Sequence, residues 1–260
     1  MSLTEFRHKL ENKLSLSQLK FNLKMKKLSG NTVLDYGWIK LPYSDDGDVQ
    51  ELYYHAHSQE YYQNDMPIIR PHIKPGDCVI DIGANLGFVT TMLASLVGKD
   101  GKVFSFEPSA VTYQKLLRTI EANELSMVEP VNFGLGKQET THDLYRVSGS
   151  SGNDTLIKSG DGKISTGQVK IISLDSFLAQ KPQPISFIKI DTEGYELQVL
   201  RGAIGTLKKH RPVIYIELCS DYLESSLEAV ELLKSLDYRL PDDLDVSRQG
   251  NGSNFVAVPE

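Results

Sequence analysis

The 260-residue sequence predicts an α/β protein with a mostly parallel central sheet that is covered by helices on both faces. Three observations predict this class. Short apolar segments alternate with helix-like segments from residue 78 onward. The first apolar segment, residues 78–82, runs into a glycine-rich turn and then a helical pattern. The second apolar segment ends in an acid, Glu107, at the position where nucleotide-binding sheets often carry one.

The remaining elements follow in the order that such a sheet requires. Strands are predicted at 78–82, 102–107, 127–133, 185–190 and 213–218. Helices are predicted at 90–97, 110–124, 173–179, 193–209 and 223–236. Residues 238–240 and 255–258 are predicted to form a closing hairpin. The stretch 141–170 is polar and glycine-rich, which predicts a long connection; its part 148–154 is either a lid over an acceptor or a plain connector.

The part before residue 74 is predicted to be an extension of this domain. Spaced leucines and phenylalanines predict one or two helices in residues 1–30, a hairpin-like cap follows at 38–54, and residues 53–73 are partly helical. We therefore divide the chain into an N-terminal extension or cap, residues 1–73, and a main domain, residues 74–260. The cap is rich in tyrosines that either stack on a sugar ring or only pack: Tyr53, Tyr54, Tyr61 and Tyr62.

Composition argues against several functional classes. The formal net charge of −6 and the pI near 5.6 argue against a nucleic-acid partner, because phosphate neutralisation requires clustered basic residues. No apolar segment approaches the roughly 18–20 residues of a membrane span. The first thirty residues lack the apolar core of a signal peptide, so a cytoplasmic location is expected. The sequence does not indicate an oligomeric state.

The glycine-rich turn indicates the kind of ligand. A dinucleotide fingerprint would place glycine at 83, 85 and 88, whereas this chain has Asn85 and Phe88. A side chain at 85 suits a ligand without phosphate there, such as the amino-acid end of S-adenosylmethionine. Glu107 lies 24 residues after Gly83, and its two carboxylate oxygens suit the vicinal hydroxyls of a ribose. Because both cofactor classes use such an acid, Glu107 alone does not choose between them.

Four segments together resemble the FkbM family of S-adenosylmethionine-dependent methyltransferases: residues 81–87, 106–108, 173–175 and 188–203. The last segment is the most specific, and the resemblance extends over about residues 74–218. It implies a Rossmann-like class I methyltransferase fold, a three-layer sandwich whose mostly parallel sheet has seven strands. It also implies O-methylation of a hydroxyl on a sugar, glycan or secondary metabolite by S-adenosylmethionine, which leaves S-adenosylhomocysteine as product.

The resemblance also implies a set of cofactor-binding residues. They lie in the glycine-rich turn, after the second strand and after the third strand: Asp81, Gly83, Ala84, Asn85, Gly87, Glu107, Pro108, Ser109, Asn132 and Gly134. Among these, Asn132 is equally well explained as a simple strand-end asparagine.

Three acids are candidates for catalysis. A neutral alcohol is a poor nucleophile and needs a base or a hydrogen-bond acceptor. Asp191 follows the fourth strand, Glu193 lies two residues further on, and Glu217 ends the fifth strand, so that all three are expected at one sheet edge. The alternatives are a cofactor contact or helix cap for Asp191 and a first-turn helix acid for Glu193.

Several functional alternatives remain open at this point. Strand-end carboxylates such as Asp191 and Glu217 suit Mg²⁺, but no fixed spacing supports a metal, so Mg²⁺ is not favoured and no metal ligand is assigned. The acceptor is expected to be a small molecule or a glycan. A nitrogen acceptor or a macromolecular acceptor is the next alternative, followed by an NAD-dependent oxidoreductase and a non-catalytic nucleoside-binding module.

Overall fold

The computed structural model describes residues 32–43, 50–147, 154–157, 163–248 and 253–260. The helices predicted in residues 1–30 and all but the last residue of the 148–154 segment lie outside these ranges. Within them, no helix is both long enough and apolar enough to cross a membrane.

The described part of the N-terminal segment is a hairpin followed by two helices. The antiparallel pair consists of β1 (Val33–Asp35) and β2 (Lys40–Pro42), and the helices are α1 (Gln50–Ser58) and α2 (Glu60–Ile69). A 3-10 turn at Arg70–His72 leads into the main domain.

This segment packs against the glycine-rich turn of the main domain. Buried side chains of the hairpin and of α1, including Ile39, Leu41 and Tyr53, form one apolar cluster with Leu86 and Phe88. Burial of apolar surface is the main favourable contribution to such a contact. The hairpin therefore lies next to the turn that the sequence marks as a ligand site.

The central sheet has seven strands, as predicted. They are β3 (Cys78–Ile82), β4 (Lys102–Phe106), β5 (Val128–Val131), β10 (Ile185–Ile190), β11 (Val213–Leu218), β12 (Tyr238–Arg239) and β13 (Ser253–Pro259). Their order across the sheet is β12-β13-β11-β10-β3-β4-β5. The pairs from β5 to β11 are parallel, and β13 runs antiparallel to both of its neighbours. This is the predicted mostly parallel sheet with one reversed strand.

Helices cover both faces of this sheet and make it the middle of three layers. They are α3 (Phe88–Val97), α4 (Ala110–Ala122), α5 (Leu174–Leu178), α6 (Glu196–Arg201), α7 (Ile204–His210) and α8 (Leu223–Ser235). Apolar residues of α2 and α3 pack on one face, and apolar residues of α5 to α8 pack on the other. Ser173 caps α5 by accepting a hydrogen bond from the Ser176 amide, as its position before the helix predicts.

The prediction of one helix over 193–209 is wrong. Glu193 and Gly194 both have positive φ angles, 55° and 98°, which a helix interior does not allow. The chain forms α6 only from Glu196 and then breaks at Gly202 before α7. Glu193 is therefore a loop residue beside the end of β10 and not a first-turn helix acid.

The prediction of a long connection over 141–170 is also wrong. These residues form most of a second, four-stranded sheet of β6 (Gly134–Leu135), β7 (Thr140–Val147), β8 (Asp154–Thr155) and β9 (Lys163–Ile172), in the order β6-β9-β7-β8. Its strands are half-exposed and carry polar side chains, so they lack the apolar alternation that identifies a strand in a sequence.

Candidate functional site

The face of the central sheet that packs against α2 and α3 changes from apolar to polar toward the carboxyl ends of the strands. Strand pairing aligns Val103, Val79, Phe187 and Val213 in one row. Two residues further along, it aligns Ser105, Asp81, Lys189 and Tyr215. Another two residues along the same strands follow Glu107, Gly83, Asp191 and Glu217. Sequence-predicted site residues from four strands thus meet at one sheet edge.

The glycine-rich turn is held in a conformation that its sequence permits. Gly83, Asn85 and Gly87 have φ angles of 78°, 48° and 91°, in the region that favours glycine and tolerates asparagine. A side chain on Gly83 would overlap the carbonyl oxygen of Asp191. Close approach of the turn to the end of β10 therefore requires glycine at 83.

Glu107 is bound to the same turn. Its carboxylate accepts hydrogen bonds from the amides of Asn85, at 3.0 Å, and Ser109, at 2.9 Å. The side chain is 6% exposed, and this burial raises the pKa of Glu107 to about 7 although the two amide donors act in the opposite direction. The acid is thus fixed in place beside the turn, and each oxygen keeps a lone pair for a further donor.

Asn132 and Gly134 lie where β5 ends, next to the residues after β4. The Asn132 amide donates to the carbonyl oxygens of Glu107 and Pro108, at 2.8 and 3.1 Å. A Cβ on Gly134 would contact Ile171 and lie within 3.5 Å of Pro108. Asn132 therefore fixes the backbone after β4. The gap between Gly134, Ile171 and Pro108 is so narrow that a side chain at 134 does not fit unless Ile171 shifts.

The three candidate catalytic acids lie together. Carboxylate oxygens of Asp191, Glu193 and Glu217 come within 4.8 Å of one another, and all three side chains are half-buried. Burial, the charges of Asp191 and Glu193, and a hydrogen bond with Asp191 raise the pKa of Glu217 to about 10. This shift favours a proton held within the Asp191–Glu217 pair at neutral pH.

Two neighbours shape the loop that carries these acids. The buried carboxylate of Glu196 accepts from the Thr192 amide at 2.8 Å, the Thr192 hydroxyl at 2.9 Å and the Gly194 amide at 3.1 Å. From the second sheet, the Thr155 hydroxyl donates to the Glu193 carbonyl oxygen at 2.8 Å. The second sheet is thus attached directly to the acid-bearing loop.

A buried ammonium lies beneath the site. Lys189 is 4% exposed, and its Nζ lies 3.5 Å from Asp81 Oδ1 and 3.4 Å from Asp191 Oδ2. It also donates to the carbonyl oxygens of Gly83 and Ile82, at 2.8 and 3.3 Å. Asp81 is fully buried and accepts from the Thr90 hydroxyl at 2.6 Å. The carboxylate of Asp81 therefore faces Thr90 and Lys189.

Sequence reasoning assigned no role to Lys189, to Tyr215 on the same sheet face, or to Asp65 of the helix packed on that face. The Tyr215 hydroxyl donates to Asp65 of α2 at 2.8 Å, and both groups are buried. The available signal was a charged or phenolic residue inside an otherwise apolar strand, where burial is costly unless the group has a partner.

Aromatic residues of the N-terminal segment adjoin the turn. The Trp38 ring lies 5.7 Å from the Phe88 ring and 5.3 Å from the Tyr62 ring, centroid to centroid, and Trp38 and Tyr62 are half-buried. Tyr53 is buried and donates to the Pro42 carbonyl oxygen, so it packs and does not present a ring for stacking. The side chains of Tyr54 and Tyr61 lie outside the described part of the structure.

The strand order, the reversed strand and the site at the carboxyl edge define a Rossmann-like class I methyltransferase fold. A sequence profile described as the methyltransferase FkbM domain matches residues 81–240. The chain belongs to this family. The resemblance found in the sequence is therefore confirmed.

Known proteins similar to this chain agree with this assignment. Methyltransferase 1 of Beauveria bassiana is 27% identical over 160 residues, 54% of this chain and 64% of its own. Hexuronic acid methyltransferase AglP of Haloferax volcanii is 28% identical over 141 residues, 53% of this chain and 54% of its own. The chain thus spans less than two thirds of either relative.

Among solved structures, a Clostridium thermocellum protein assigned as an rRNA methylase has a TM-score of 0.51 at 15% identity. The likeness covers 76% of this chain and 94% of that one, and it shows the fold alone.

Proposed function

We propose that the protein is an S-adenosylmethionine-dependent methyltransferase that methylates a hydroxyl group of a sugar, glycan or secondary metabolite. The observation that carries this proposal is the meeting of two groups at one sheet edge. Gly83, Asn85 and Glu107 form a turn suited to a nucleoside without phosphate contacts, and Asp191 and Glu217 form a hydrogen-bonded acid pair beside it.

The residues around the turn fit the cofactor. The side-chain oxygen of Asn85 is buried and has no hydrogen-bond partner, so an ammonium such as that of the methionine moiety would satisfy it. The free lone pairs of Glu107 suit the ribose hydroxyls. Pro108 and Ser109 would line the adenine side, with Gly134 opposite Pro108. Asn132 would contribute indirectly, by fixing the backbone of Glu107 and Pro108, and Asp81 by fixing Thr90 and Lys189. Ala84 and Gly87 would contribute only the backbone of the turn.

S-adenosylmethionine, when bound, supplies an electrophilic methyl group on its sulfonium. The acids of the chain orient the hydroxyl group of the acceptor and take up its proton. In this mechanism Asp191 accepts the hydrogen bond, and finally the proton, of the attacking hydroxyl. Glu217 keeps its own proton and donates a hydrogen bond through it to Asp191, which fixes the orientation of that carboxylate and leaves its other oxygen free to accept the acceptor's proton. Glu193 lies within reach as a further acceptor.

The N-terminal segment supplies the acceptor side. Through residues 32–43 and 50–73 it places Trp38 next to Phe88 and Tyr62 next to Trp38, and aromatic faces pack well against the apolar faces of sugar rings. We therefore assign residues 1–73 as a cap and residues 74–260 as the transferase domain. That a relative is named a hexuronic acid methyltransferase supports a sugar acceptor.

The test is a turnover assay on a panel of acceptors. Protein, S-adenosylmethionine and glycosides of hexoses and hexuronic acids are incubated, and S-adenosylhomocysteine and methylated product are measured by mass spectrometry. Because the spacing of the three acids also suits a divalent cation, each reaction is run with Mg²⁺ and with EDTA. Equal rates in both arms support proton sharing without a metal. Methylation of amines only, or of no acceptor, contradicts the proposal.

A further inference from the structure

We infer that Lys189 is a positioning residue that ties the cofactor turn at Gly83 to the carboxylate of Asp191. Its role is to fix the distance between the methyl donor bound at the turn and the Asp191 carboxylate that accepts the proton of the acceptor. The inference rests on the proposed function, because it assigns Lys189 to the same site. It assigns a role to a residue whose ammonium is engaged by Asp81, Asp191 and the backbone of the turn, and which lies in the family segment 188–203 without a predicted role.

The contacts of Lys189 join both halves of the site. The shortest one, 2.8 Å, goes to the Gly83 carbonyl oxygen in the turn, and the ammonium lies 3.4 Å from Asp191 on the next strand. The second contact to the turn is the bond to the Ile82 carbonyl oxygen at 3.3 Å. Asp81, at 3.5 Å, supplies the balancing charge from below. One rigid donor therefore fixes the distance between turn and acid.

The fold itself does not require a charge at this place. One row below, on the same face and the same strands, Val79 and Phe187 pack as apolar neighbours. A buried ion pair is often no more stabilising than a well-packed apolar pair, because removing both charges from water is costly. Asp81 and Lys189 occupy the row directly beneath the reacting groups. There the free-energy cost of burying both charges is offset, because Lys189 fixes the positions of the turn and of Asp191.

The experiment compares four proteins: wild type, K189M, the charge-balanced double variant D81N/K189M, and K181M as control. Lys181 also pairs with a carboxylate, Glu129 at 3.1 Å, but lies at the opposite end of the sheet. Each protein is titrated with S-adenosylhomocysteine by calorimetry, unfolded in urea, and examined by hydrogen exchange. The exchange experiment follows the amides of Gly83 and Ala84, which bond to the Phe106 carbonyl oxygen at 3.0 and 2.9 Å.

For K189M we expect stability to fall, because two carboxylates lose their counter-charge. The double variant regains most of this stability, since the fully buried Asp81 charge is removed and only the half-buried Asp191 is left without its ammonium partner. If Lys189 positions the site, both variants still bind S-adenosylhomocysteine about tenfold more weakly, the equivalent of one lost hydrogen bond. Both also show faster exchange at Gly83 and Ala84. On the acceptor that wild type methylates, kcat falls about a hundredfold with little change in KM, whereas K181M matches wild type in S-adenosylhomocysteine affinity, exchange at the turn and turnover.

A purely structural role predicts a different outcome. The double variant would then recover stability, S-adenosylhomocysteine affinity and slow exchange together, and this result overturns the inference. Failure of the proposed function is distinguishable, because it appears as wild-type protein that does not bind S-adenosylhomocysteine. In that case hydrogen exchange at Gly83 and Ala84 still tests whether Lys189 holds the turn. Wild-type exchange rates in K189M and in D81N/K189M would refute the inference.

Discussion

Replacing Asp191 by asparagine is the perturbation that separates the two acids of the pair. In D191N the side chain keeps an oxygen that accepts from Lys189 but can no longer take a proton from the acceptor. In the matched variant E217Q the amide keeps a donor toward Asp191 and thereby imitates the protonated Glu217. If Glu217 holds the shared proton, D191N abolishes the base and E217Q preserves the arrangement.

The structure sets the size of each effect. A positioned general base contributes about 10²–10⁴-fold to turnover, so D191N is expected to lose about 2.7–5.4 kcal/mol of transition-state stabilisation. Its folding loss is small, about 1 kcal/mol, because Asp81 remains 3.5 Å from the Lys189 ammonium. The affinity of D191N for S-adenosylhomocysteine is expected to stay within about tenfold of wild type, because Asp81 still balances the charge of Lys189 beneath the turn. E217Q is expected to lose at most about tenfold in turnover.

Two assays measure the difference. Turnover at neutral pH is followed by product formation on the acceptor that wild type methylates. Urea unfolding is followed across pH, because the pKa of Glu217 is raised from 4.5 to about 10. Between these values the folded protein holds a proton that the unfolded chain has released, so Glu217 lowers stability progressively as the pH rises. E217Q removes this contribution and is expected to be more stable than wild type at about pH 9.

Equal losses of turnover in D191N and E217Q would refute the assignment of base and proton holder. So would a wild-type stability profile that E217Q does not change.

Three further predictions follow from the geometry. Because the pKa of Glu107 is about 7, calorimetry is expected to show wild-type affinity for S-adenosylhomocysteine falling as the pH drops below about 7, whereas E107Q binds weakly at every pH; a flat wild-type profile contradicts the ribose role. G83A places a Cβ against the Asp191 carbonyl oxygen at φ 78°, so urea unfolding is expected to show a loss of at least about 3 kcal/mol. The control G37A, at φ 85° with open space around it, loses about 1 kcal/mol, and equal losses contradict the close approach. Y62A is expected to raise acceptor KM about three- to tenfold with kcat retained, and an unchanged KM removes Tyr62 from the acceptor site.

The sequence was sufficient to predict the parts of the fold that are apolar and periodic. Residues 78–82, 185–190 and 213–218 form strands with the predicted bounds, because buried parallel strands are almost continuous apolar runs. The strand–turn–helix at Gly83 to Gly87 was predicted from the demand for positive φ angles. Both are local signals that a single sequence carries.

The parts that were missed depend on long-range contacts. The second sheet, made of β6 to β9, is half-exposed, and its strands are held by pairing with one another more than by apolar burial. The break in the helix after Glu193 follows from the bonds that Glu196 accepts from Thr192 and Gly194. The role of Lys189 depends on register between β3 and β10, which no local pattern specifies.

The deciding measurement is calorimetric titration of the wild-type protein with S-adenosylhomocysteine, with NAD⁺ as control. We expect micromolar binding of S-adenosylhomocysteine and no heat from NAD⁺, because Asn85 and Glu107 form a turn suited to a nucleoside with an amino-acid tail. Binding of NAD⁺ in its place, or of neither ligand with and without Mg²⁺, would contradict the proposed function.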